Sequence, residues 1–419
     1  MVFPVPREIV DCILDNLYLD KATLLSCALI GKAWGLSAQR GIFQHITLEL
    51  PIMQHEEFDE LARAYNKRNE QLIGFFERKP YLASHVQTFE LKQFGKLSRN
   101  GSRDKKEILY VSTTQVVERL CNVKSLLLSR GNWDSLSPQL REALKHLFSA
   151  PSLSRISISL FAISSFNEFA SLLSQVSHLR MLKLHFLYCN NWDVPTSSQN
   201  HPPRSIQLDQ LLYLHSVNTR AFAAWFQQDS CPLEVRNLRT LQIYSKLTDY
   251  EGTAPMLQSI GANLQKLELQ LQGPHGSQDS TLVHLGFTPN LSSITLANVQ
   301  QTDIYSPIPW IVCLFEPNQN YDRLRQLTIN LYTDHVNILE THRWDEWTTV
   351  DRLLAERRFA SLETVKIELL GSPNLASCDI KEVLTGKMPF LRSSGKLQVE
   401  TPIEGEVNMD KIKAVISAF

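Results

Sequence analysis

The chain has 419 residues, 43% hydrophobic and 20% charged, with 42 Lys and Arg against 43 Asp and Glu for a net charge of −1. That balance argues against a broad nucleic-acid or anionic-membrane surface, and no apolar run approaches the ~18 residues that span a bilayer. The seven cysteines are odd in number and contain no C-x-x-C pair, so neither a disulfide framework nor a zinc site is suggested.

The opening MVFPVPREIVD has no basic n-region, and no signal peptide is expected there. Scattered thiols fit a reducing compartment, cytoplasmic or nuclear. Residues 4–47 read as three short helices. Pro6 can open the first, because its missing N–H is not needed in a first turn. Ile9, Ile13 and Leu17 recur every four residues as an apolar stripe. Asp20 can cap a second helix carrying Leu24, Leu25, Ala28 and Leu29. A third holds Trp34, Leu36 and Ala38 and runs toward Ile42 and Phe43. So small a module cannot bury this many large apolar groups within itself. It either packs on the rest of the chain or keeps one face for a partner.

The remainder repeats one pattern, L-x-x-L-x-L. Segments of this type begin at Val86, Val123, Leu153, Leu179, Leu208, Leu238, Leu264, Leu291, Leu324 and Leu362, and Leu391 with Leu397 and Val399 suggests a degenerate eleventh. Helical stretches lie between them, at 137–151, 165–176, 219–226 and 345–359. Strand followed by helix in tandem is the signature of a leucine-rich-repeat solenoid, an α/β horseshoe with a parallel sheet on its concave side and helices on its convex side. Residues 48–85 read as a helical linker and cap, 86–400 as about ten repeats, and 401–419 as a tail with a closing helix. The run at 95–107 reads as a basic polar loop, and the loop at 190–205 carries Trp192 as a lid or an anchor. Trp347 reads as core, with Trp344 left open.

In such repeats the first, fourth and sixth positions point inward and those between them face the sheet surface. The candidate target face therefore carries Glu90, Lys92, Arg155, Lys183, His185, Tyr244, Lys266, Glu268, Lys366 and Glu368. Its charge is mixed, so no ligand class follows, although Lys92, Arg155 and Lys183 could contact a phosphate. Phosphate-loop, dinucleotide and nucleophile-elbow motifs are missing from the sequence. The histidines show no metal-ligand spacing, and His185 with Tyr244 is no catalytic constellation. No catalytic residue, cofactor or metal is expected.

The N-terminal residues resemble the F-box family. Val5-Pro6, Glu8-Ile9, Leu24-Leu25, the run Ile30-Gly31-Lys32-Ala33-Trp34 and Ile42-Phe43 follow that family's order, departing from it at Val5, Gly31, Ala33 and Phe43. About a tenth of the chain is covered. The resemblance implies an F-box-like module at 1–47 that binds a Skp-type adaptor, and through it a cullin, by way of Val5, Pro6, Ile9, Leu24, Leu25, Ile30, Lys32 and Trp34. With the repeats, it implies a non-catalytic subunit that brings an unidentified target protein to a ubiquitin ligase. A scaffold whose module binds a partner without cullin-dependent ubiquitination is the alternative.

Overall fold

A computed structural model describes residues 5–17, 20–51, 57–94, 103–195, 204–214, 218–246, 250–272, 284–301, 306–315, 319–333, 343–371 and 377–400. The expected closing helix at 401–419 lies outside them. The chain divides into two compact units, Met1–His201 and Pro202–Phe419.

The first unit opens with three helices, α1 (Arg7–Asp15), α2 (Lys21–Cys27) and α3 (Lys32–Gln44). Strand β1 (His45–Glu49) follows α3 directly, so position 47, the expected end of the module, lies inside a strand. Next come α4 (Phe58–Arg78), α5 (Tyr81–Ser84), β2 (Thr88–Lys92), α6 (Arg103–Val117), β3 (Ser125–Asn132), α7 (Pro138–Phe148), β4 (Arg155–Ser165), α8 (Phe166–Ser174) and β5 (Met181–Asn191). Residues 103–107 of the expected loop are thus helix, and residues 95–102 lie outside the description. The five strands pair side by side, all parallel, in chain order.

Sequence dictates which face is which. Phe89 and Leu91, Leu126 and Leu128, Ile156 and Ile158, and Leu182 and Leu184 are all buried, and the residues between them are half-exposed or exposed. Parallel strands need helical crossovers, and the helices cover the buried face. Ser137 and Ser165 start α7 and α8 by accepting the N–H of Leu140 (3.3 Å) and Glu168 (3.2 Å).

After five regular residues each strand from β2 to β5 takes one left-handed step. Gln93, Arg130, Leu160 and Phe186 have φ of 60°, 52°, 50° and 54°. Pairing resumes one residue later in β3 to β5, with Gly131 opposite Phe161 and Phe161 opposite Leu187. The step shifts the inward phase, so Phe161, Ile163 and Leu187 are buried where strict alternation would expose them. Gly131 has no substitute here, since a Cβ would lie 2.2 Å from the Phe94 ring. Phe94, Trp133, Phe148 and Phe161 close this end of the core, with ring centroids 6.0–6.5 Å apart.

The second unit contains β6 (Ile206–Gln207), β7 (Gln210–Leu214), α9 (Thr219–Gln227), β8 (Leu233–Glu234), β9 (Thr240–Lys246), α10 (Tyr250–Ile260), β10 (Lys266–Gln272), β11 (Ser293–Gln300), α11 (Ile308–Leu314), β12 (Gln326–Thr333), α12 (Trp347–Leu354), β13 (Thr364–Gly371), α13 (Ser377–Lys387), α14 (Pro389–Ser393) and β14 (Leu397–Glu400). β7 and β9 to β14 form parallel neighbours in chain order, and β6 pairs β8 separately. Leu211 lies opposite Leu241, Leu241 opposite Leu267, Leu267 opposite Ile294, Ile294 opposite Leu327, and Leu327 opposite Val365. All are buried. Asn298 repeats the left-handed step, at φ 51°, where the β11–β12 register shifts.

Both units are therefore α/β with parallel strands in chain order. No helix among the described residues is long and apolar enough to cross a membrane.

Candidate functional site

The three N-terminal helices make a small core of their own. Val10, Leu14, Leu24, Cys27 and Ala38 are buried, with Leu17, Ala28, Trp34 and Ile42 packed against them. Asp20 caps α2, accepting the N–H of Thr23 at 3.0 Å and its hydroxyl at 2.6 Å. The Thr23 hydroxyl and N–H hold the Asp20 carboxyl below its ordinary range. Arg40 of α3 ties back to Asp15 of α1 at 2.7 Å. The two line a cleft of about 410 Å³ with Gln44 and Gln87.

The inward stripe of α1 is Val10, Leu14 and Leu17. The expected stripe is corrected, because Ile9 and Ile13 face the solvent. Two four-residue apolar stripes run along this helix, and periodicity alone does not say which one enters the core. Among the expected adaptor-binding residues, Leu24 is buried and Trp34 is packed on the module core. Val5, Pro6, Ile9, Leu25 and Ile30 are exposed. Lys32 opens α3, and its side chain lies outside the description. Ile13, Leu29 and Leu36 are further exposed apolar side chains, Leu29 at 87%. Helical spacing of large apolar residues in excess of what the core holds was the signal for them.

In the first unit, Glu90, Lys92, Arg155, Lys183 and His185 stand on the non-core face of β2, β4 and β5. Glu90 is taken up locally. Lys92 lies 3.1 Å from it and His45 3.5 Å, and the Thr47 hydroxyl donates to it at 3.0 Å. Gln93 donates to Glu49 alongside. Arg155 and Lys183 form no ion pair among the described residues. The His185 ring lies 4.5 Å from that of Phe186.

In the second unit, Tyr244, Lys266, Glu268, Lys366 and Glu368 occupy the same kind of face on β9, β10 and β13. Glu268 accepts from the Tyr244 hydroxyl and, at 2.8 Å, from Gln242 Nε2. Burial and the neighbouring Glu268 charge push the Tyr244 phenol pKa up. Lys366 bridges Glu368 and Glu400 at 2.8 Å each, and those hydrogen bonds raise its pKa. Lys366, Glu368 and Glu400 are therefore already paired with one another, and Glu268 is held by two neutral donors.

Of the two cysteines in the module, Cys27 is buried and Cys12 is exposed. No group of three or more His, Cys, Asp or Glu side chains among the described residues is placed to hold a metal. Trp192 packs on Phe166, with ring centroids 5.6 Å apart. Trp344 and Trp347 are both core, and Trp347 Nε1 donates to Gln301 Oε1 at 2.7 Å.

No protein-family model matches the chain, and neither does any curated protein.

Proposed function

We propose that this protein is a non-catalytic target-binding subunit of a Skp–cullin–F-box ubiquitin ligase, acting in the cytoplasm or nucleus. On this reading the N-terminal helices are an F-box-like plug for the adaptor. The strand-and-helix units form a leucine-rich-repeat solenoid that holds a target protein. Catalysis here is proximity: a target lysine held near the transfer site reacts at a raised effective concentration.

The observation that carries the reading is the division of apolar residues within α1 and α2. Val10, Leu14, Leu24 and Cys27 suffice for a core, yet Ile9, Ile13, Leu25, Leu29 and Ile30 stay exposed. Five large apolar side chains left exposed on so small a module suit an interaction face. The F-box resemblance supplies the partner.

Co-purification of the full chain tests it. The protein should bring down a Skp-type adaptor and a cullin, and the double variant Ile9→Asp with Leu25→Asp should lose both while remaining folded. Recovery of the adaptor without the cullin would favour the scaffold reading. Full adaptor recovery with the double variant would refute the plug.

A further inference from the structure

On the first unit's strand face, a floor of small hydroxyl residues lies between longer side chains. Ser125 and Ser129 of β3 and Ser157 and Ser159 of β4 form most of the floor, with half-exposed Leu127 between the first two and opposite Ser157. Glu90 and Lys92 of β2 make one wall, and Met181, Lys183 and His185 of β5 make the other. The register places Arg155 beside Ser125 and Met181, Lys183 beside Ser157, and His185 beside Ser159.

The two walls differ electrostatically. Glu90 is neutralised by Lys92 at 3.1 Å, with His45 3.5 Å away, and Glu49 accepts from Gln93. The other wall has no carboxylate. Arg155 is exposed and Lys183 half-exposed, neither with an ion pair among the described residues, and exposed Arg130 follows Ser129 in β3. Strand spacing of about 4.8 Å and a two-residue rise of about 6.6 Å put the Arg155 and Lys183 Cα atoms about 8 Å apart. Their side chains can then converge over Ser157 on a single anion. Arginine offers a planar fork, lysine a point charge, and serine hydroxyls donors suited to phosphoryl or carboxylate oxygens.

We propose that this trough binds an extended anionic segment of a polypeptide, with a phosphoryl or carboxylate group held between Arg155 and Lys183 over the Ser157 and Ser159 hydroxyls. The proposal rests on the reading of this face as the target-binding surface, and it corrects the sequence-level grouping of Lys92 with the two cations. Lys92 is bound to Glu90; Arg155 and Lys183 are the pair left to meet a ligand charge.

The test uses the full chain and three fluorescent 12-residue peptide pools, degenerate at the flanking positions. Their fixed centre is phosphoserine, glutamate or serine. Fluorescence anisotropy should show the phosphoserine or the glutamate pool binding about tenfold or more tightly than the serine pool, with affinity falling as salt rises. Whichever anionic pool leads identifies the source of the charge. Arg155→Glu with Lys183→Glu should abolish the preference, and Arg155→Ala with Lys183→Ala should reduce it, far-UV circular dichroism being unchanged in both. Lys266→Glu in the second unit should leave it intact. Equal binding of all three pools, an undiminished preference in the double variants, an equal loss in the Lys266→Glu control, or tighter binding of a single-stranded oligonucleotide would each overturn the proposal. Adaptor recovery by the same preparations is scored separately. Its loss with peptide binding intact counts against the ligase reading alone, and the reverse outcome against the trough alone.

Discussion

Leu24 and Leu25 are neighbours in the chain with opposite surroundings. Leu24 is fully buried in the core of the N-terminal helices, while Leu25 is 56% exposed. Leu24→Ala should cost about 2–5 kcal/mol, because a cavity opens in a core of only a few side chains. Leu25→Ala should change stability by less than about 0.5 kcal/mol. On the proposed function it should nevertheless weaken adaptor binding. Urea unfolding of the full chain together with adaptor titration separates the two roles, and equal destabilisation by both substitutions would contradict the packing.

The left-handed step gives a backbone prediction. Arg130 is an exposed residue at φ 52°, a conformation that costs an L-residue about 1–2 kcal/mol, partly offset at glycine by the extra freedom of the unfolded chain. Arg130→Gly should therefore raise stability by about 0.5–1 kcal/mol. Arg130→Asn should fall between the two, and Arg130→Val should lie below the parent. A urea midpoint series that ranked valine above glycine would mean that the step does not exist in solution.

Much of the fold was legible because the repeat is written in large side chains. Each of the ten expected segments contains a strand, and the first template position, from Val86 to Leu362, is buried in every one. β1 was missed, although Phe43-x-x-Ile46-x-Leu48 fits the same template, because residues up to 47 read as the helical module, with its third helix running toward Phe43. Its ring lies 6.2 Å from that of Phe76. The lengthening of β3 to β5 past the left-handed step was also missed. Its trace is a three-residue gap, Ile158 to Phe161 and Leu184 to Leu187, that breaks the period of two. Helix α10 was hidden by Pro255 in its interior, and α6 by its charged first turn. For the candidate sites, the sequence placed residues on faces. Only three-dimensional pairing distinguished Lys92, bound to Glu90, from Lys183.

Cysteine reactivity follows burial. Iodoacetamide at pH 8 should modify the exposed Cys12, Cys121 and Cys313 first, leaving Cys27 and Cys231 until the protein unfolds. Burial pushes the Cys231 thiol from 9.0 up to about 12, and does the same for Cys189. The unfolded chain ionises these thiols above about pH 9, whereas the folded chain keeps them neutral. Their contribution to stability is therefore complete below pH 9 and is lost as pH rises toward 12. The urea midpoint should fall between pH 8 and 10.5, and less steeply in Cys231→Ala. An identical slope in that variant would show that the thiol does not ionise on unfolding.

Glu268 is a poor site for an innocuous charge swap, despite standing on the candidate face. It accepts from Gln242 and from Tyr244, so Glu268→Lys removes both acceptors and places an ammonium against a largely buried phenol. A loss of about 2–4 kcal/mol is expected. Lys266→Glu, exposed on the same strand, should fall within about 0.5 kcal/mol of the parent. Thermal unfolding of the two single variants decides this, and matching midpoints would mean that the Glu268 contacts contribute nothing.

The boundary between the helical module and the strands decides how the two can be separated. A deletion of residues 1–47 would cut β1 in half, removing buried Ile46 and the first three of its register pairs with β2. A deletion of residues 1–44 keeps β1 whole. It still removes the Phe43 ring from Phe76 and the bond from the Tyr81 hydroxyl to Gln39, so some stability is lost. The fragment beginning at His45 should resist limited proteolysis better than the one beginning at Leu48, whose exposed β2 edge invites association. On the proposed function, the longer fragment should lose the adaptor while keeping the anionic-peptide preference of the Arg155–Lys183 trough. In cells it should then stabilise its target rather than lower it. If the His45 fragment still recovered the adaptor at full stoichiometry, the docking face would lie elsewhere, and the exposed residues of α1 and α2 would need another partner.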